Sequence, residues 1–422
     1  MTRDDCLGRD AADPLAPLRE QFALPAGTIY LDGNSLGALP KAAASRVAQV
    51  LIQEWGEQLI ESWNSAGWID LPRRIGDKIG RLVGAGPGEL VVADSTSVNL
   101  FKVLSAALHI AAAGEPSTPQ RRVIVSERGN FPTDLYIAES LARERGLALK
   151  LVDAPEAIEP ALASGNAAVL MLTQVDYRSG RLHDMAAVTR VAHAHGALMV
   201  WDLAHSAGAV PVNLNAADAD FAVGCGYKYL NGGPGAPAFV WVHPRHAERF
   251  VQPLAGWMGH AAPFEFMPSY RPAAGIARYL CGTPALLSMA ALECGVDTVL
   301  AAEAFGGLNA LREKSLALTD LFIERVEQRC ANFDLTVVTP RAHPLRGSQV
   351  SLSRAEGAYP IVQALIARGV VGDFRAPDVL RFGFTPLYLR YVDVWDAVEH
   401  LHAVLAGDEW RDTRFQRRAT VT

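Results

Sequence analysis

The stretch that decides the fold reads GCGYKYLNGGPG over residues 224–235. It places a single lysine, Lys228, between aromatic residues and glycines, directly after the apolar run 221–223. Twenty-six positions upstream (228 − 202), Asp202 follows a second apolar run, 197–201. Ligands of parallel α/β sheets bind beyond the carboxyl ends of the strands, so a lysine and an acid at two strand ends can face one site.

This pair of residues is what a pyridoxal-phosphate enzyme needs. A lysine amine forms a Schiff base with the cofactor, and a carboxylate keeps the pyridine nitrogen protonated so that the ring accepts electrons. Partial burial lowers the pKa of a lysine and so supplies a free amine, while glycines let the backbone approach a ligand. The alternatives are a surface lysine for Lys228 and a turn or cap carboxylate for Asp202. Their joint placement favours the cofactor.

The composition is that of a globular protein with more than one domain. The chain has 422 residues, half of them hydrophobic, and is long for a single core. A net charge of −6 (39 Lys and Arg against 45 Asp and Glu) argues against a nucleic-acid partner. No apolar run approaches the roughly 20 residues of a membrane span, and residues 1–13 lack a signal-peptide core. Five scattered cysteines predict no metal site and reduced thiols, hence a cytoplasmic protein.

Strands and helices alternate along the middle of the chain. Short apolar runs predict strands at 89–93, 123–126, 149–152, 167–173, 197–201, 219–223 and 237–242. Helical spacing of apolar residues predicts helices at 41–62, 98–110, 134–145, 185–195 and 285–330. The alternation predicts an α/β fold whose mostly parallel sheet is covered by helices on both faces.

After residue 333 the sequence changes from a long helical pattern to shorter strand and helix patterns. Strands near 334–338 and 348–352 and a helix near 358–368 predict a smaller α+β C-terminal domain, and residues 411–422 are expected to form a loose tail. The predicted organisation is an N-terminal arm and helix (1–60), a large cofactor-binding domain (61–300) and a small C-terminal domain (301–422).

Three further places carry side chains suited to a cofactor or a substrate. Thr96 and Ser97 lie between a strand and a helix, where a helix N-terminus binds phosphate; simple N-capping is the alternative. Phe131 precedes Pro132, so its ring either covers a planar cofactor or acts as a hydrophobic staple. Arg381 lies inside an apolar run, and a buried guanidinium binds a carboxylate bidentately, which suits an amino-acid substrate.

A second group of candidates is more ambiguous. His205 shares a turn with Asp202, which favours a contact with the cofactor. Thr283 opens a later helix and could bind phosphate or cap that helix. Trp257 stands among glycines and is well placed for a ligand. For three others the structural interpretation is favoured, as core, interface or solvated side chains: Trp63, Trp68 and Arg375.

These segments together resemble the kynureninase family, a group of fold-type-I pyridoxal-phosphate hydrolases near the aminotransferases and cysteine desulfurases. The resemblance runs nearly end to end. Its motifs are YLDGNSLG (30–37), TSVNL (96–100), FPTD (131–134), DLAH (202–205), GYKYLN (226–231), GWMGH (256–260) and RFGFTPLY (381–388). The lysine and tryptophan segments are the specific ones, because the spacing of Asp202 and Lys228 alone indicates only fold type I.

The resemblance implies a role for each matched residue. Lys228 forms the Schiff base, Asp202 contacts the pyridine nitrogen, and Arg381 holds the substrate carboxylate. Thr283 belongs to a site that is shared across a homodimer. The other implied cofactor contacts are Thr96, Ser97, Phe131, Pro132, Thr133, Asp134, Thr173, His205, Tyr227 and Trp257.

The reaction that the resemblance implies is hydrolysis of L-kynurenine to anthranilate and L-alanine in tryptophan degradation, with the 3-hydroxy substrate expected to react likewise. Tyr227 is our candidate for proton transfer at the carbonyl side. An aminotransferase and a cysteine desulfurase remain alternatives, as does an inactive cofactor-binding regulator. A desulfurase needs a cysteine close to Arg381, and the nearest one upstream, Cys330, is 51 positions away (381 − 330). An intact set of Lys228, Asp202 and Arg381 argues against an inactive protein.

Overall fold

A mostly parallel sheet forms the centre of the larger part of the molecule. The computed structural model describes residues 1–113 and 121–418. Its strands are β1 (Ile29–Tyr30), β2 (Leu90–Val92), β3 (Val123–Glu127), β4 (Ala148–Val152), β5 (Ala167–Thr173), β6 (Leu198–Asp202), β7 (Phe221–Gly224), β8 (Phe239–Val242), β9 (Thr336–Val337), β10 (Gln349–Ser353), β11 (Val370–Val371), β12 (Asp373–Arg375) and β13 (Val379–Gly383). Within these residues the larger sheet has the order β2-β8-β7-β6-β5-β3-β4. Pairing is parallel from β7 to β4 and antiparallel where β8 meets β7 and β2, which confirms the predicted fold class.

Helices cover both faces of this sheet. The helices are α1 (Arg3–Ala11), α2 (Lys41–Gln49), α3 (Ser62–Ser65), α4 (Leu71–Val83), α5 (Thr96–Ala112), α6 (Pro132–Glu144), α7 (Ile158–Leu162), α8 (Met185–Ala194), α9 (Pro244–Ala247), α10 (Leu286–Leu300), α11 (Gly307–Arg329), α12 (Ala358–Ala367), α13 (Tyr391–Ala406) and α14 (Thr413–Gln416). Successive side chains of a strand point to opposite faces, so Val169 and Leu170 of β5 meet different helices. α5 and α6 pack on the Val169 face, and α4, α7 and α8 pack on the Leu170 face. No helix in the described ranges has both the length and the apolar character needed to cross a membrane.

The C-terminal part contains an antiparallel sheet in the order β12-β13-β10-β9, packed by α11 and α12. The beginning of the chain joins this part, because β1 pairs in parallel with β11 and α1 lies against α13. The carboxylate of Asp10 accepts hydrogen bonds from the N–H groups of Tyr391 (2.6 Å) and Val392 (3.0 Å) at the start of α13. The division at residues 60 and 300 stays a prediction, and the arm finds main-chain partners both in β11 and in the loop that carries Lys228.

Two long predicted helices are interrupted. The helix predicted at 41–62 is α2 followed by a π-helical segment, Val50–Trp55, and a 3₁₀ turn, Leu59–Glu61. The helix predicted at 285–330 divides into α10 and α11. The division falls at Gly306, whose φ of +102° lies in the left-handed region that side chains other than glycine avoid.

The predicted loose tail is wrong for the part of it that the structure describes. Trp410, directly before the predicted tail, and Phe415 are buried against the core, and Phe415 lies within α14. These two aromatic side chains fix the segment because each covers apolar surface. Residues 419–422 lie outside the described residues.

Candidate active site

A cavity of about 370 Å³ opens at the carboxyl ends of β5, β6 and β7. Thr173 and Asp202 end β5 and β6, and Lys228 lies in the loop after β7. Ten of the predicted site residues line the cavity: Thr96, Ser97, Phe131, Thr133, Asp134, Thr173, Asp202, His205, Tyr227 and Lys228. The structure therefore brings most of the predicted residues together.

Other lining residues were missed by the sequence reasoning. They are Asp94, Ser95, Tyr177, Ala204, Pro234, Gly235, Ala236 and Ala238. Asp94 and Ser95 directly precede Thr96 in the same strand-to-helix turn, and Pro234 and Gly235 end the glycine-rich stretch after Lys228. Their position next to predicted site residues was the indication in the sequence that they line the site. Tyr177 follows β5 by four residues, and nothing in its local sequence sets it apart.

The Lys228 amine lies within hydrogen-bond distance of a histidine. Its Nζ is 2.9 Å from Nε2 of His205 and lies 5.9 Å and 5.8 Å from the ring centroids of Phe131 and Tyr227. Burial, together with the positive charge of Lys228, holds the pKa of His205 well below its ordinary value. A neutral imidazole can accept a hydrogen bond from the ammonium group, so His205 can share the lysine proton.

Two buried carboxyl groups share the cavity with the lysine. Asp202 accepts a hydrogen bond from the N–H of Ala204 at 2.8 Å. Burial raises the pKa of Asp134 well above its ordinary value, and the charge of Asp202 raises that pKa further. Burial also raises the pKa of Asp202, but the positive charge of Lys228 opposes this shift. Burial therefore disfavours the charged form of both carboxyl groups, while the positive charge of Lys228 favours it at both.

The first turn of α5 offers an anion site. Ser95 is the N-cap, and its Oγ accepts a hydrogen bond from Val98 N at 3.3 Å. The predicted alternative, capping by Thr96 or Ser97, is therefore wrong, because both residues already lie inside the helix. The N–H groups of a first helical turn have no partner within the helix and attract negative charge. This end of the cavity can hold a phosphate.

Phe131 presents its ring to the cavity. It is the N-cap residue of α6, with Pro132 as the first helical residue, and 39 % of its surface is exposed. The ring of Tyr177 meets that of Phe131 edge-on, with centroids 5.2 Å apart. An exposed aromatic face held by a second ring suits a planar ligand better than a hydrophobic staple, whose side chain is buried.

Arg381 lies behind the cavity wall instead of in it. Its guanidinium is 1 % exposed and pairs with Asp373, with Nε 2.8 Å from Oδ1. Nη1 donates to the backbone oxygen of Tyr177 (2.7 Å), and Nη2 donates to Oγ of Ser35 (2.7 Å). Arg375 joins the same group through Asp373 at 2.6 Å. The role of Arg381 toward a substrate carboxylate stays a prediction, and Asp373 is a partner that the sequence reasoning missed.

Trp257 and Thr283 lie beside the cavity without lining it. Nε1 of Trp257 donates to Oγ1 of Thr283 at 3.3 Å, and Thr283 lines a neighbouring cavity that shares Asp94 with the first. Trp63 packs edge-on against Trp257 at 6.0 Å. Trp68 is buried, and its Nε1 donates to Glu54 at 2.7 Å, as the structural interpretation of that residue expects. Pro132 shapes the start of α6 and does not line the cavity.

The arrangement fits pyridoxal phosphate. An amine, an ionisable acid at a strand end, an aromatic face and an open helix N-terminus surround one cavity. Within the described residues, Oδ2 of Asp134 and Nδ1 of His205 are buried without a hydrogen-bond partner, which leaves polar atoms for a ligand to satisfy. The mostly parallel sheet and this set of groups define a fold-type-I enzyme that depends on pyridoxal phosphate.

The chain belongs to the kynureninase family. It is 58 % identical over 423 aligned residues to the kynureninase of Burkholderia pseudomallei strain 1106a, and the alignment covers 100 % of both chains. It is 57 % identical, with the same coverage, to the kynureninase of Pseudomonas fluorescens. The model of the kynureninase C-terminal domain matches residues 311–401.

Solved structures of lower identity support the same fold. The apo cysteine desulfurase of Thermococcus onnurineus NA1 superimposes with a TM-score of 0.75 at 19 % identity, covering 93 % of this chain and 98 % of the other. A C-DES mutant with glycine covalently linked to its pyridoxal-phosphate cofactor gives a TM-score of 0.77 at 16 % identity, covering 92 % and 98 %. At these identities the similarity concerns the fold alone.

Proposed function

We propose that the chain hydrolyses L-kynurenine, with one water, to anthranilate and L-alanine, and that the 3-hydroxy substrate gives 3-hydroxyanthranilate and L-alanine. The observation that carries the proposal is the 58 % identity to a kynureninase over the full length of both chains. The cavity supports it, because Lys228 and Asp202 lie at neighbouring strand ends as a pyridoxal-phosphate site requires. The reaction belongs to tryptophan degradation.

The cofactor, when bound, supplies a ring that accepts electrons from the substrate's α-carbon. We propose that the Lys228 amine binds it covalently and that the Asp202 carboxylate faces its ring nitrogen. The first turn of α5, with Thr96 and Ser97, is proposed to hold the phosphate, and Phe131 to cover the ring. The geometry supports these assignments because all five residues line one cavity.

Proton transfers fall to residues of the chain. We propose that Nζ of Lys228, once the substrate amine has displaced it from the cofactor, takes the proton from the substrate's α-carbon, and that it donates a hydrogen bond to His205, 2.9 Å away. Tyr227 is proposed to donate a proton at the carbonyl side of the substrate. Burial raises the pKa of its phenol above the ordinary value, so the group keeps its proton at neutral pH and can serve as an acid.

We further propose a homodimer with the active site at its interface. Large apolar side chains are exposed in two segments, 51–60 and 264–267, which we together call the apolar surface: Leu51, Ile52, Trp55, Leu59, Ile60, Phe264, Phe266 and Met267. The rings of Trp63, Trp257, Phe264 and Phe266 follow one another at 6.0, 5.7 and 6.4 Å, which connects this surface to Thr283 through Trp257. A second copy of the chain would remove this area from water. A cytoplasmic location is consistent with the five free cysteines.

The test is a direct assay on the purified holoenzyme. L-kynurenine is added, and anthranilate is followed by its fluorescence while L-alanine is measured in the same sample. We expect both products in equal amounts. The proposal fails if no anthranilate appears while a keto acid is aminated, since that outcome identifies an aminotransferase. Comparison of the 3-hydroxy substrate in the same assay decides the preference, which an apolar pocket alone discriminates weakly.

A further inference from the structure

A fully buried lysine lies behind the anion end of the cavity. Lys102 is in the middle of α5 and is 0 % exposed. Its Nζ donates to Oδ2 of Asp94 at 2.5 Å and to the backbone oxygen of Tyr279 at 2.6 Å. A buried ammonium group is costly unless it is paired. The packing of α5 does not require a charged side chain at this position, so the buried pair of Lys102 and Asp94 needs another explanation.

Asp94 has a left-handed backbone conformation in the turn directly before α5. Its φ of +46° lies in the left-handed region, which few side chains adopt. The turn is fixed by main-chain hydrogen bonds with Ala238 on both sides and by Asn99, whose Nδ2 donates to Ala93 O at 2.7 Å. Asp94 lines the cavity directly before the open first turn of α5. An unpaired carboxylate there would repel a phosphate, and Lys102 cancels its charge.

The second contact of Lys102 reaches a different segment. Tyr279 ends a 3₁₀ helix, and Thr283 follows four residues later beside Trp257. Gly256 packs so closely on this segment that an added Cβ would lie 2.3 Å from the backbone oxygen of Cys281. One ammonium group therefore joins the turn before α5 to the segment that carries Thr283.

We propose that Lys102 is a positioning residue for the phosphate end of the cofactor, acting by neutralising Asp94 and by holding the segment 279–283 against the turn before α5. The inference rests on the proposed function, since it presumes pyridoxal phosphate in this cavity. Lys102 does not line the cavity and is not among the predicted cofactor contacts.

The test compares two ligands that differ only in the phosphate. The full chain is freed of cofactor, and the dissociation constants of pyridoxal phosphate and of pyridoxal are measured by absorbance titration. For Lys102→Met we expect the affinity for pyridoxal phosphate to fall about tenfold or more, because Asp94 is left uncompensated. The affinity for pyridoxal should stay within about twofold, since pyridoxal lacks the phosphate dianion that Asp94 would repel.

Two further variants separate positioning from loss of structure. Asp94→Asn in the Lys102→Met background removes the repelling charge, so we expect it to restore most of the affinity for pyridoxal phosphate. Lys314→Met is the matched control, because Lys314 is also buried and pairs with Asp13 at 2.7 Å in another part of the molecule. It should lower thermal stability without changing the ratio of the two affinities.

The outcomes are distinguishable. If the parent chain does not bind pyridoxal phosphate, the proposed function fails. If the parent binds it and Lys102→Met weakens both ligands equally, or neither, the positioning role is overturned. If Lys102→Met does not fold, the Asp94→Asn variant, which retains Lys102, decides the question. Its preference for pyridoxal phosphate over pyridoxal must equal or exceed that of the parent, and a lower preference contradicts the proposal.

Discussion

At the scale of single residues, burial shifts the pKa values of two neighbours of Lys228. It lowers the pKa of His205, whose Nε2 lies 2.9 Å from the lysine Nζ, and it raises the pKa of Asp202, a shift that the positive charge of Lys228 opposes. Burial and the charge of Asp202 also raise the pKa of Asp134. The sequence could place His205 on the turn that begins with Asp202, but only the resemblance indicated Asp134.

The proposed acid role of Tyr227 gives a first prediction. Tyr227→Phe should lower kcat roughly a hundredfold, because general acid catalysis by the phenol is lost, while the amount of bound cofactor stays unchanged. Steady-state anthranilate release and the cofactor's absorbance measure the two quantities. Tyr229→Phe is the control: the Tyr229 hydroxyl donates to Ser348 O at 2.8 Å outside the cavity lining, so its loss should affect stability only. Unchanged turnover in Tyr227→Phe would sink the role.

Arg381 is a residue whose burial, but not whose partners, could be predicted from the sequence. Its place in an apolar run correctly predicted burial, and burial required a partner. The partner, Asp373, lies eight positions upstream on the neighbouring strand, and Ser35 comes from the other end of the chain. Local spacing does not reveal contacts that the fold creates between distant segments. The hydrogen-bond partners that this guanidinium already has within the protein were therefore not predictable.

At the scale of elements, burial decides how well a segment is predicted. β5 was predicted at its observed bounds, because all its residues are buried and form one uninterrupted apolar run. The start of α5 was predicted two residues late, since Thr96 and Ser97 are polar and are helical only by virtue of the Ser95 cap. The left-handed Asp94 before them has no local indication, because its conformation is set by Lys102 and Ala238.

A carboxylate that caps a helix from another element gives a second prediction. Asp10 binds the first two N–H groups of α13, at 2.6 and 3.0 Å. Asp10→Ala should lower the free energy of unfolding by about 1–2 kcal/mol, the usual cost of a lost cap. Denaturant unfolding of the holoenzyme measures it, with Asp4→Ala on the exposed face of the same helix as the control. An equal effect of the two substitutions would contradict the capping role.

Asp220, directly before β7, joins one strand and two helices, namely β6, α8 and α9. Its carboxylate accepts hydrogen bonds from Met199 N (2.7 Å), His193 Nε2 (2.7 Å), His246 Nε2 (2.8 Å) and Arg245 Nη2 (2.6 Å). Burial alone would raise the pKa of Asp220, but the hydrogen bonds from His193 and His246 hold it far below the ordinary range. The hydrogen bond to Asp220 in turn raises the pKa of His193.

This raised histidine pKa gives a third prediction. A group with a raised pKa stabilises the folded state fully below its unfolded value, about 6.5, and that contribution is lost as pH rises through the folded pKa. His193→Gln should therefore lower the unfolding midpoint more at pH 6 than at pH 9, by a cost of about 1 kcal/mol at pH 6 for this partly exposed pair. His195→Gln is the control, since His195 is 3.7 Å from an exposed Glu159. An equal cost of His193→Gln at both pH values would refute the linkage.

At the scale of the whole molecule, the apolar surface gives a fourth prediction. Ile60 is 76 % exposed and Phe266 is 79 % exposed, which is unusual for side chains of this size in a monomer. Ile60→Asp or Phe266→Asp should shift the chain from dimer to monomer in light scattering and remove activity, because Thr283 would no longer reach the second site. Leu7→Asp, an exposed leucine on α1, should leave the dimer intact. An active monomer of the parent at high dilution would contradict the shared site.

The pairing of β1 with β11 has a consequence for how the molecule is made. Tyr30 meets Val371, which is synthesised 341 residues later (371 − 30), and Gly37, on the same segment, donates its N–H to Tyr227 O at 2.7 Å. At about 5–20 residues per second, the ribosome needs roughly 20–70 s to make that partner. β1 therefore waits for its partner strand through most of translation, although all residues that line the cavity, the last of them Ala238, have been made well before β11.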